Sequence, residues 1–88
     1  MITINQLADA IYIEEGGTHT KWPYGVHDSH LNHPKNPRGK CIDIIKGTMA
    51  TYHITNIDHK FITLLSKRYC PVNHLSWEHN VCHILNIK

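Results

Sequence analysis

The sequence predicts a mainly α-helical domain of about four helices, with a short extended or hairpin segment after the first. Three observations carry that expectation. Apolar residues recur at three- and four-residue spacing in four stretches of the 88-residue chain. Near the start of each stretch stands a residue able to cap a helix. The run with extended propensity, around Tyr24 and Val26, is short and follows a glycine pair.

The first helix is the clearest. Thr3 is a good N-cap, and Gln6, three residues on, can close a capping box with it. Ile4, Leu7, Ala8 and Ile11 form the apolar stripe. At about 100° per residue the stripe continues toward Glu15 near its centre, with Glu14 closer to its edge. Gly16 and Gly17 then end the helix. A carboxylate where an apolar stripe meets a Gly-Gly break is the best catalytic candidate in the chain.

Beyond Gly17, Trp22 is biased away from helix by Pro23, and Tyr24, Gly25 and Val26 read as an extended arm or hairpin. This aromatic stretch serves either as a cover for the core or as the wall of a binding cleft, since aromatic faces stack on sugars and bases. Residues 27–40 read as a loop, with two prolines, two asparagines and a glycine. His27, His30 and His33 fall three apart with Asp28 adjacent, which suits a transition metal or simply a soluble loop. His27, Asn32 and His33 are also the residue types of a histidine-asparagine-histidine nuclease, but two prolines interrupt the strand-strand-helix frame it needs.

The second helix begins near Pro37 with Asn36 as cap, and Cys41, Ile44, Ile45, Thr48 and Tyr52 share a face. Gly47 weakens its interior, and residues 51–54 can leave as an extended piece. Asn56 or Asp58 caps a third helix on which Phe61, Leu64, Leu65 and Arg68 or Tyr69 share one side, and Pro71 stops it. Lys60, Lys67 and Arg68 give this helix a basic side, which reads as an ordinary solvated face. Ser76 caps the last helix, with Trp77, Val81, Ile84 and Leu85 facing inward. His79 and His83 are four apart there, beside Cys82, without the glutamate that a zinc hydrolase places after the first histidine. That pair reads as packing and surface.

Composition bounds the function. Residues 1–88 fit one domain, and 41% hydrophobic with 18% charged residues fits an ordered globule. No stretch approaches the roughly 20 apolar residues of a membrane span. Asp9, Glu14 and Glu15 arrive too early for a secretion signal, so the expectation is a protein cytoplasmic as synthesised, reaching other compartments through a partner, a membrane pore or lysis. The formal charge of +2, with nine histidines uncounted, suits nucleic acid, a polyanionic wall polymer or an anionic surface. Three cysteines, Cys41, Cys70 and Cys82, lack zinc-ribbon spacing and read as reduced thiols or as one disulfide with a thiol left over. The chain holds no glycine-rich phosphate loop and no nucleophile elbow, and no cofactor is expected.

The run Ala10, Ile11, Tyr12, Ile13, Glu14, Glu15, Gly16, Gly17, followed by Tyr24, Gly25 and Val26, resembles the start of lysozyme-like domains, in particular soluble lytic transglycosylases and goose-type lysozymes. The later Phe61-Ile62, Arg68-Tyr69-Cys70-Pro71 and Trp77-Glu78-His79-Asn80-Val81 resemble short phage-encoded proteins of that type. The resemblance implies a small lysozyme-like domain that cleaves the bond between N-acetylmuramic acid and N-acetylglucosamine in peptidoglycan. It places Glu15 on the catalytic acid, with Glu14 as the alternative, and Trp22, Tyr24, Gly25 and Asp28 along the sugar site. The chemistry is consistent with the residues. A glycosidic acid must hold its proton near neutral pH, and the end of an apolar stripe at the negative end of a helix dipole favours that form. Asp28 and Asp43 are further candidates for a second carboxylate, which a transglycosylase does not need because the substrate's own hydroxyl closes an anhydro ring.

Two other classes stay open on the sequence. Charge and the loop bearing Lys35, Arg38 and Lys40 suit a nucleic-acid-binding or metal-nuclease module. A non-catalytic interaction or inhibitor protein with a protein partner fits a small ordered domain equally.

Overall fold

The computed structural model describes residues 1–19, 23–25 and 36–87. Four helices follow in order: α1 (Ile4–Glu14), α2 (Pro37–Tyr52), α3 (His59–Tyr69) and α4 (His74–Leu85). Local chemistry sets the first three starts. The Thr3 hydroxyl accepts from the Gln6 N–H at 3.0 Å, and the Gln6 carboxamide accepts from the Thr3 N–H at 2.8 Å. Asn36 Oδ1 accepts from the Gly39 N–H at 3.1 Å, with Pro37 in the first helical position. Of Asn56 and Asp58, it is Asp58 that caps α3, accepting from the Phe61 N–H at 2.9 Å. The fourth start corrects the expectation. It begins at His74, ahead of Ser76, and Asn73 in the cap position makes no side-chain cap bond.

Two further corrections concern extended structure. Residues 51 and 52 stay in α2, and the helix stops only at His53, in the left-handed region. After α1 the expected hairpin or extended arm is overturned: the architecture is all-α, and no strand occurs among the described residues. The segment forms a 3-10 turn at Gly17–His19 and a second tight turn at Pro23–Gly25. The physical reason lies in the backbone. Gly17, Tyr24 and Gly25 have φ of 57°, 62° and 66°. That left-handed conformation is foreign to a pleated strand.

The core is one cluster. Leu7, Ala8, Ala10 and Ile11 of α1 meet Cys41 and Ile45 of α2, Phe61, Ile62 and Leu65 of α3, and Trp77, Val81 and Cys82 of α4. α4 packs on both α3 and α1, and α2 closes against α1 and α3. Tyr52 and Ile84, expected inward, are exposed. Polar ties reinforce the packing: Arg68 of α3 donates to the buried Thr48 hydroxyl of α2 at 2.8 Å, which itself donates to the Ile44 carbonyl. All three cysteines are free thiols. No helix among the described residues is long and apolar enough to cross a membrane.

Candidate functional site

All four helices contribute to the surroundings of Glu15. This residue caps α1, its N–H donating to the Ile11 carbonyl at 2.9 Å. The glycines that follow turn the chain away, Gly16 with φ 99° and Gly17 with φ 57°. The turn at Pro23–Gly25 then brings the backbone back against the carboxylate. A Cβ on Gly25 would sit 2.8 Å from Glu15 Cδ and 3.0 Å from each carboxylate oxygen. Gly25 is therefore required twice over, by its positive φ and by the closeness of Glu15.

From α4 the Trp77 indole Nε1–H donates to Glu15 Oε1 at 2.9 Å. Trp77 is buried, so that N–H needs a partner, and the glutamate supplies it. Among the described residues nothing bonds Oε2, and Glu15 as a whole is half-buried. The Tyr69 ring of α3 stacks on Trp77, centroids 5.2 Å apart and planes at 17°. Its hydroxyl is buried and has no hydrogen bond of ordinary geometry. Burial pushes the Tyr69 phenol up, and its neighbours, the Cys41 thiol of α2 and the Glu15 carboxylate, push it the same way. Burial likewise pushes the Cys41 thiol up, so the phenol and the thiol both stay neutral.

Glu14 has a different environment. Burial raises its carboxyl above the usual range, a hydrogen bond with Asn80 of α4 opposes that, and the neighbouring Glu15 charge adds to it. Trp77, on one face of α4, thus holds the Glu15 carboxylate at the end of α1, and Asn80, three residues on, lies beside Glu14.

Tyr24 is placed as a strut. It is buried, its ring packs on Tyr12 with centroids 5.0 Å apart, and its hydroxyl accepts from Arg38 Nη1 at 3.0 Å. Arg38 also pairs with Asp9 at 2.8 Å and bonds the Asn5 side chain at 3.3 Å. A cation read in the sequence as part of a basic loop is instead the bolt between α1, α2 and the turn.

The other sequence candidates are scattered. Asp43 is exposed on α2. Trp22, His27, Asp28, His30, Asn32, His33 and Lys35 lie outside the described residues. The remaining carboxylates have other partners: Asp9 takes Arg38, Asp58 caps α3, and Glu78 accepts from the Thr63 hydroxyl and faces His59 at 3.5 Å. Among the described residues no three histidine, cysteine or acidic side chains already gather around a metal-sized point.

Sequence reasoning picked Glu15, Glu14 and Gly25, which the structure brings together. It missed Trp77, Asn80, Tyr69 and Cys41 as their neighbours. The available signal was an indole on an inward face, which has to find an acceptor. Nothing local says that the acceptor is 62 residues away. The chain matches no protein-family model, no curated protein and no solved structure.

Proposed function

We propose that the chain cleaves the glycosidic bond between N-acetylmuramic acid and N-acetylglucosamine in peptidoglycan, with Glu15 as general acid. The observation that carries this reading is the Glu15 carboxylate: one oxygen is pinned by Trp77, the glycine backbone closes one side, and Oε2 has no bond among the described residues. A carboxyl group positioned through one oxygen presents its other oxygen to a substrate in a fixed direction, which is what proton transfer to a leaving oxygen requires. The resemblance of residues 10–17 and 24–26 to the catalytic segment of lytic transglycosylases and goose-type lysozymes supports the same residue.

Among the described residues, which leave out Asp28, the supply of carboxylates favours the transglycosylase outcome over hydrolysis. Glycosidases that activate water or form a covalent intermediate use a second carboxylate across the scissile bond. Among the described residues the other carboxylates are engaged elsewhere or exposed, apart from Glu14 next door on the same helix end. In the proposed step Glu15 protonates the leaving oxygen as the bond to the muramic C1 breaks. The muramic C6 hydroxyl then attacks C1 and returns its proton to Glu15, leaving a 1,6-anhydro end with no water consumed.

The test is digestion of purified peptidoglycan by the wild type and by Glu15→Gln, with soluble products analysed by mass and folding checked by circular dichroism. Anhydro-muropeptides from the wild type are expected, falling by roughly 10²–10⁴-fold in the variant. Reducing-end products would replace the transglycosylase step by hydrolysis. A folded wild type that releases nothing between about pH 5 and 8, or a variant that keeps full activity, overturns the proposal and moves the protein to the non-catalytic binding class.

A further inference from the structure

α4 carries a second cluster of chemistry-bearing side chains that the Glu15 reading does not use. A concavity of about 350 Å³ is lined by His59 of α3 and by Glu78, His79, Cys82, His83 and Ile87 on or just after α4. His79 and His83 are both exposed, and their rings lie nearly parallel, centroids 6.5 Å apart and planes at 16°.

We propose that His79 and His83 chelate a divalent transition-metal ion of the zinc class at this concavity. Two imidazole nitrogens bound to one tetrahedral ion at ~2.0–2.1 Å place their ring centroids roughly 5 Å apart, so these two rings must close by about an ångström, which two exposed side chains can do by rotation. Four-residue spacing puts both on one helix face, the arrangement helical zinc motifs use for their first two ligands. Borderline cations prefer imidazole, which separates this pair from a calcium or magnesium site.

Two features of the surroundings favour a cation here. His83 lies in the last turn of α4, where the helix dipole is negative. Glu78 contributes a carboxylate to the same concavity, bonded by the Thr63 hydroxyl and 3.5 Å from His59. No three such donors among the described residues surround one point, so the proposed site takes its protein ligands from these two histidines alone. The proposal is independent of the reading of Glu15.

The experiment is a Zn²⁺ titration of the full chain with the thiols kept reduced, followed by amide NMR at residues 79–83. A saturable shift of these amides is expected. His79→Gln and His83→Gln should each weaken the response at these amides at least tenfold. Both positions are exposed, so the far-ultraviolet spectrum should be unchanged. A chain with His27, His30 and His33 all changed to Gln should respond at α4 within twofold of the wild type. Absence of a response at 79–83, an unaltered response in the His79 or His83 variants, or its loss in the triple variant would each overturn the proposal.

Discussion

Glu14 and Glu15 are neighbours in the chain with different fates, because the helix end presents them to different parts of α4. Glu15 faces the indole of Trp77 and the bare backbone of Gly25, while Glu14 faces Asn80. Burial holds the folded Glu14 carboxyl above its unfolded value, so it ionises more readily in the unfolded chain. Stability from this residue is therefore present at low pH and falls as the pH rises from the ordinary carboxylate range through the raised folded value. Glu14→Gln keeps a partner for Asn80 and removes the ionisation. Its melting temperature should exceed that of the wild type at about pH 7, and the gap should close at about pH 3. A melting series across pH checks this, and a constant difference at every pH would contradict it. The candidate status of Glu15 was legible because it follows from helix periodicity and the Gly-Gly break. The hydrogen bond from Trp77 was not, because it joins the two ends of the chain.

At the scale of elements, legibility tracks how local the deciding interaction is. The starts of α1, α2 and α3 rest on side chains bonding a backbone N–H three residues ahead, a distance the sequence displays directly. α4 lacks such a bond, and its start was misplaced at Ser76. The hairpin failed for a related reason. Tyr24 adopts a positive φ, which a tyrosine's own preference disfavours, and it is held there by the Tyr12 ring and the Arg38 guanidinium. Glycines inside helices separate in the same way. At Gly39 an added methyl would run into the Asn36 carboxamide that caps α2, whereas at Gly47, exposed in mid-helix, it would meet nothing within 4 Å. Gly47→Ala should accordingly stabilise the protein by ~0.5–1 kcal/mol through helix propensity. A shifted urea midpoint with an unchanged m-value is the expected readout; a lower midpoint would mean that α2 is not continuous at that point.

For the whole molecule, one small core sets stability. Phe61 is fully buried among residues of all four helices. Phe61→Ala should cost roughly 3–5 kcal/mol, a large part of the about 5–15 kcal/mol available to a domain of this size. Calorimetry should show a much lower melting temperature or no cooperative transition; a loss below about 1 kcal/mol would mean that the site collapses around the smaller residue. By itself the sequence determined the four amphipathic helices, the caps of α1 and α2, the inward face of α1 and the position of Glu15 at its end, since periodicity and capping act within a few residues. On α3 it left the cap between Asn56 and Asp58 and turned Leu64 inward, where Ile62 and Ser66 join Phe61 and Leu65 as the buried residues. Only the tertiary structure decided that Arg38 ties α1, α2 and the turn together, that the segment after α1 turns instead of extending, and that Trp77 receives the Glu15 carboxylate. Those outcomes depend on which surfaces meet when the helices pack, and a burial pattern says that a face is covered without saying what covers it.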